Sequence, residues 1–193
     1  MIDVPTPAPV AARVTLPRAV PDAVGVGAFL KNTVCVIADG VAHVSETVGD
    51  LRDPSAIRAF EATLDALVAA TGARPVAVAH DLHPDFPCTH HAVGMGLPCV
   101  PVQHHHAHAA ALAAEHGLDE PVLALALDGF GLGPGNQAWG GELLAVDGPR
   151  YRRIGHLAPL AQPGGDVTAT EPWRMGAAAL HALGRGDEIA GRW

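Results

Sequence analysis

The chain has 193 residues, 49% of them hydrophobic but only 4% aromatic, and a net charge of −8 from 12 basic and 20 acidic side chains. That length suits one domain or two small ones, and the core must be built from Ala, Val and Leu. The negative balance argues against a broad basic face for nucleic acid. No apolar run is long enough to span a bilayer. Cys35, Cys88 and Cys99 lack the pairing of a disulfide framework or a thiolate zinc site, so a cytoplasmic protein is the expectation.

The N-terminus lacks the layout of a signal peptide, and Pro5, Pro7 and Pro9 point to an extended lead-in over residues 1–20. Residues 24–30 and 33–38 read as strands. Asp39-Gly40 reads as a hairpin turn into a third strand over 41–48, which predicts an antiparallel meander. Asp53-Pro54-Ser55 opens a helix with proline just inside it. Ile57, Phe60, Leu64, Leu67 and Val68 recur at helical spacing as far as Thr71-Gly72. Residues 75–79 form a short apolar run with the flanks of a buried parallel strand, running into His80-Asp81-Leu82-His83-Pro84. A helix around 88–95 and a strand at 98–102 follow. A histidine-rich helix from about Gln103 to His116 is closed by Gly117. Residues 122–127 read as a buried strand ending at Asp128-Gly129. A glycine-rich loop, a hairpin over 139–157, a turn at 163–166 and a helix from Glu171-Pro172-Trp173 to about Leu183 complete the chain. The order predicts an α/β fold with a mixed sheet, whose ligands sit beyond the carboxyl ends of the strands.

Three such ends carry polar groups: His80 and Asp81, the run Gln103-His104-His105-His106-Ala107-His108, and Asp128. On a helix His104 and His108 lie one turn apart on one face. With the Asp128 carboxylate they make a ligand set for Fe, Zn or a similar divalent ion, with positions left open. An exposed polyhistidine face with incidental spacing reads equally from the same residues. His105 and His106 point elsewhere, as supporting or core residues. Asp128-Gly129 with Trp139-Gly140-Gly141-Glu142 brings backbone N–H groups near a phosphate, or is a simple glycine-rich turn; it is neither a P-loop nor a dinucleotide fingerprint. His80, Asp81 and His83 bind substrate or orient a catalytic group, or cap a solvated turn. Lys31, between two apolar runs, is an anion-binding candidate or simply solvated.

Six motifs occur in order: Lys31-Asn32-Thr33, His80 to Asp85, Val102 to Ala109, Leu127-Asp128-Gly129 with Trp139-Gly140-Gly141-Glu142, Pro163-Gly164-Gly165-Asp166, and Glu171-Pro172-Trp173-Arg174. Together, over roughly residues 24–184, they resemble the HypF carbamoyltransferases, maturation factors of NiFe hydrogenases. The resemblance implies an actin/sugar-kinase/Hsp70-like, ribonuclease H-like half-domain. It implies transfer of a carbamoyl group from ATP-derived carbamoyl-adenylate to the C-terminal cysteine of the partner HypE. It also implies His104, His108 and Asp128 as metal ligands. Lys31, His80, Asp81, His83, Gly129, Gly140, Gly141 and Glu142 are then expected at the nucleotide or substrate, with no catalytic residue assigned. The same comparison makes residues 21–193 a first lobe without its second lobe. A separate polypeptide would then supply the missing parts, or the chain is a truncated, non-catalytic metal-binding or partner-binding module. Such a lobe is expected to expose an apolar face.

Overall fold

The computed structural model describes residues 7–192, so the first six residues of the expected lead-in, Pro5 among them, lie outside the described residues. β1 (Val10–Thr15), β2 (Ala23–Gly25), β3 (Cys35–Ala38) and β4 (Val41–Ser45) come first. The last three form the expected antiparallel meander. Its tight turn needs left-handed backbone at both central residues, which Asp39 (φ 49°) and Gly40 (φ 76°) supply. β1 lies within the proline-rich lead-in and pairs with β4, and the Ala8 N–H donates to Thr63 Oγ1 at 2.8 Å. β2 is shorter than the strand expected over 24–30. Gly27 turns left-handed (φ 69°), and the Asn32 side-chain amide donates to the carbonyls of Val26 (2.8 Å) and Ala28 (2.7 Å), where a ladder would have continued.

α1 (Pro54–Thr71) has the predicted ends. Asp53 accepts from the Ser55 N–H at 2.8 Å, proline stands in the first turn, and Gly72 closes the helix left-handed (φ 66°). Its buried stripe of Ala56, Phe60, Leu64 and Leu67 packs with Val24, Val26, Val36, Leu51 and Val78 into the main core. Without the Asp53 carboxylate the Ser55 N–H loses its capping acceptor. Asp53→Ala is therefore expected to lower the urea midpoint with an unchanged slope.

β5 (Val78–Asp81), α2 (Pro87–Gly94) and β6 (Cys99–Val102) follow. β5 runs parallel to both β2 and β6, giving a mixed sheet in the order β1-β4-β3-β2-β5-β6. β5 starts later than the run 75–79 suggests. Its register with β6, from Val78 opposite Cys99 to Asp81 opposite Val102, carries the ladder through His80 and Asp81. These two residues thus belong to the strand itself.

α3 (His104–Glu115) leads to β7 (Val122–Ala126), β8 (Gly131–Gly133), β9 (Gln137–Trp139), β10 (Glu142–Asp147) and β11 (Arg150–His156). β11, β10 and β7 make a separate antiparallel sheet, and β8 pairs with β9. A second small core joins Ala109 of α3 to Leu144, Val146, Val122 and Ala124. β7 is not buried on both faces as expected. Leu123, Leu125 and Leu127 are 73%, 63% and 69% exposed, the alternation of a sheet covered on one side.

The chain divides after His156 into two units. In the second, a 3-10 turn (Gly165–Ala169) precedes α4 (Trp173–Ala182), and Arg174 pairs with Glu171 at 2.7 Å. No helix among the described residues is long and apolar enough to cross a membrane.

Candidate metal centre

The site is built on the first turn of α3. Gln103 caps that turn: its Oε1 accepts from the His106 N–H at 2.9 Å, and its Nε2 lies 3.0 Å from His105 Nδ1 and 3.3 Å from the Leu132 carbonyl. The side chain is buried, so these contacts pin the helix start against β8. Gly131 is glycine for the same reason, since a Cβ there would meet His104 Cβ at 2.6 Å.

With the turn held this way, the three strand ends converge, although β7 belongs to a different sheet from β5 and β6. His104 Nε2 lies 2.8 Å from Asp128 Oδ2, and His108 Nε2 lies 3.3 Å from His104 Nε2 and 3.5 Å from Asp128 Oδ2. Potential ligand atoms of His104, His108 and Asp128 all fall within 4.8 Å of one another. Two imidazoles and a carboxylate at this spacing fit a borderline divalent ion such as Zn or Fe. The His108 and Asp128 side chains are 59% and 43% exposed, which leaves the outer side open for exchangeable ligands.

On its other side, His104 Nδ1 lies 2.8 Å from Asp81 Oδ2. The hydrogen bond to Asp81 raises the His104 pKa above its ordinary value; burial opposes this, and Asp128 adds to it. Burial pushes both carboxyls up, but hydrogen bonds win. Those from His104 and the His83 N–H hold Asp81 below the usual range, and those from the Gly129 N–H and His104 do so for Asp128. His105 is fully buried, and its pKa is lowered by burial and then by the charge of His104. His106 donates from Nε2 to the Gly148 carbonyl at 2.9 Å and lies against Tyr151. Both are core residues, as their helical positions imply.

The other anticipated residues divide. His80 Nδ1 donates to the Asp81 carbonyl at 2.7 Å. The His83 N–H donates to Asp81 Oδ1 at 2.8 Å, and the His83 ring is half-buried. The glycine N–H groups are engaged within the chain. The Gly129 N–H is held by Asp128 Oδ1 (2.8 Å), that of Gly140 by Glu142 (2.9 Å) and that of Gly141 by the Asp128 carbonyl (3.0 Å). Glu142 faces inward, fully buried, and binds Arg153 through both oxygens at 2.6 and 2.7 Å. Lys31 is exposed on the turn before β3. Among the described residues no hydrogen bond or ion pair brings Lys31 or Glu142 to the histidine cluster. Sequence reasoning missed Gln103 as the helix cap and Arg153 as the partner of Glu142. The position of Gln103 directly before the histidine run was the one available signal.

A family profile described as the HypF Kae1-like domain matches residues 18–115, just over half of the chain. The chain belongs to the HypF Kae1-like domain family. A second HypF-family profile, the second subdomain of the carbamoyltransferase Kae1-like domain, matches residues 124–192. Carbamoyltransferase HypF2 of Cupriavidus necator is 53% identical over 184 residues, covering 93% of this chain and 23% of that protein. Carbamoyltransferase HypF of Rhizobium leguminosarum is 46% identical over 90% of this chain and 23% of its own length. A crystal structure of full-length HypF, in its phosphate- and nucleotide-bound form, superposes with a TM-score of 0.78 at 33% identity, covering 91% of this chain and 23% of that one. The T. kodakarensis HypF structure superposes with a TM-score of 0.69 at 28% identity, over 86% of this chain. The fold is thus the actin-like, ribonuclease H-like one of the HypF Kae1-like domain. The chain spans about a quarter of the length of these HypF proteins.

Proposed function

We propose that this chain forms part of a HypF-type carbamoyltransferase acting in hydrogenase maturation. In this reading His104, His108 and Asp128 hold a divalent metal, Fe or Zn, beside bound carbamoyl-adenylate. The carbamoyl group passes to the C-terminal cysteine thiolate of a HypE-like acceptor: the sulfur bonds to the carbamoyl carbon, and the carbon–oxygen bond to phosphate breaks, leaving AMP with the electron pair. The observation that carries the reading is the meeting of three ligand atoms from α3 and the end of β7 within 4.8 Å, in a chain of this family. A divalent ion bound there supplies Lewis acidity toward charge developing on the leaving phosphate.

The protein's own groups do the positioning. Gln103 and Gly131 fix the start of α3, so that His104 and His108 present one face. The Gly141 N–H holds the backbone at Asp128. Lys31, His80 and His83 are the polar side chains left to contact substrate. The remaining length of a HypF protein, about three quarters of it, completes the active unit.

The test is carbamoyl transfer from carbamoyl-adenylate to a HypE-type protein, with and without the remaining HypF domains. Transfer is expected with wild type plus those domains and is expected to be lost with His108→Ala. Equal rates for both proteins would contradict the reading.

A further inference from the structure

We propose that Asp81 is the positioning residue of this centre: it dictates which nitrogen of His104 faces the ion, an inference that rests on the metal reading above. Each ring nitrogen of His104 meets a carboxylate at 2.8 Å, Nδ1 at Asp81 and Nε2 at Asp128. The two carboxylates are not equivalent. The Asp81 side chain is 7% exposed and that of Asp128 is 43% exposed. Each carboxylate has its Oδ1 held by a backbone N–H, of His83 for Asp81 and of Gly129 for Asp128, but Asp81 Oδ2 faces His104 alone whereas Asp128 Oδ2 also faces His108 at 3.5 Å. Both carboxylates accept, but a neutral ring has one proton to give; it goes to Nδ1, against the buried Asp81, and Nε2, against the exposed Asp128, keeps the lone pair that an ion would take. An ion between Nε2 and Asp128 then completes a carboxylate–histidine–metal arrangement, in which the outer carboxylate sets ring orientation and ligand basicity.

Two features hold Asp81 in place. It is the last residue of β5, paired with Val102 immediately before α3, so strand pairing sets its distance from the helix. Beyond it, the His83 ring stacks on Phe86 (4.2 Å between centroids, 2° between planes), and Phe86 stacks on Phe29 (4.9 Å, 9°). This three-ring stack ties the turn after β5 to the loop after β2, and it places the His83 N–H on Asp81. With both oxygens engaged, Asp81 acts through His104 and is not itself a ligand, so the protein ligand set stays at three with positions open.

The full chain is to be tested in two ways. Imidazole 15N NMR of the metal-free protein, at a pH where the ring is neutral, is expected to find His104 in the Nδ1–H form; an Nε2–H ring would overturn the proposal. Zn²⁺ titration against a chromophoric chelator is expected to give Asp81→Asn an affinity about 10–100-fold below wild type. The unfolding midpoint of that variant is expected to stay near wild type. Phe86→Leu, which keeps the carboxylate but breaks the stack, is expected to show a smaller loss. Unchanged affinity in a folded Asp81→Asn would overturn the proposal. A wild type that binds no Zn²⁺ yet shows the Nδ1–H ring would support the positioning and overturn the metal reading instead.

Discussion

Arg153→Met is expected to destabilise the chain by about 3 kcal/mol, the lower end of the range for breaking a buried ion pair. Glu142 is fully buried, and its two oxygens face the Arg153 guanidinium at 2.6 and 2.7 Å. Removing the cation leaves a buried carboxylate with the Gly140 N–H as its remaining hydrogen-bond donor among the described residues. Arg153 also lies 4.3 Å over the Trp139 ring, a contact that Met replaces only in part. The lower end applies because Arg153 is itself 26% exposed. The double variant Glu142→Gln/Arg153→Met is expected to recover much of the loss, since the amide needs no counter-charge.

The pH dependence follows with a definite sign. Burial raises the Glu142 carboxyl, but Arg153 and the Gly140 N–H outweigh it and hold its pKa below the ordinary value. A depressed folded pKa contributes stability that is present above the unfolded value, about 4.3, and is lost as pH falls through the folded one. The gap between wild type and Arg153→Met is therefore expected to be full near neutrality and to shrink in acid. Urea melts at a series of pH values measure it; a gap that widens in acid would contradict the assignment.

The second large effect is expected at Gly140. A Cβ there would lie 2.5 Å from the Gly129 carbonyl oxygen, a backbone atom that no rotamer change can move aside. Overpacking of this kind costs about 1–3 kcal/mol. Gly129 follows Asp128 directly, so the displaced backbone carries the Asp128 carboxylate with it. Gly140→Ala is thus expected to lose both stability and metal affinity. Gly155→Ala, where no atom lies within 4 Å of the new Cβ, serves as the control and is expected to change stability by less than about 0.5 kcal/mol. Similar behaviour of the two variants in urea melts and metal titration would contradict the close-approach account.

Local chemistry made part of this molecule readable. α1 declared itself through Asp53, Pro54 and Gly72, and the meander through Asp39-Gly40, because caps and turns are decided by neighbouring residues. The pairing of His104 with His108 followed from helical spacing, and Asp128 from its place at a strand end. Three features were hidden by long-range packing. β1 was masked by prolines that an edge strand tolerates in its flanks. The contact of Asp81 with His104 spans 23 residues and depends on a strand register three residues later than the apolar run suggested. A bulge between Leu143 and Leu144 brings Arg153 to the face of Glu142, and nothing local announces it. The close approach of Gly140 to the Gly129 carbonyl was also hidden, because close backbone approach and anion binding select the same residue.

In the proposed centre His104, His108 and Asp128 together hold one divalent ion. The most direct measurement is the metal content, by elemental analysis, of purified wild type and His104→Ala/His108→Ala after equilibration with Fe²⁺ or Zn²⁺ and removal of loosely bound ion. Near one equivalent in the wild type and almost none in the double variant is the predicted result; equal metal in both proteins would contradict it.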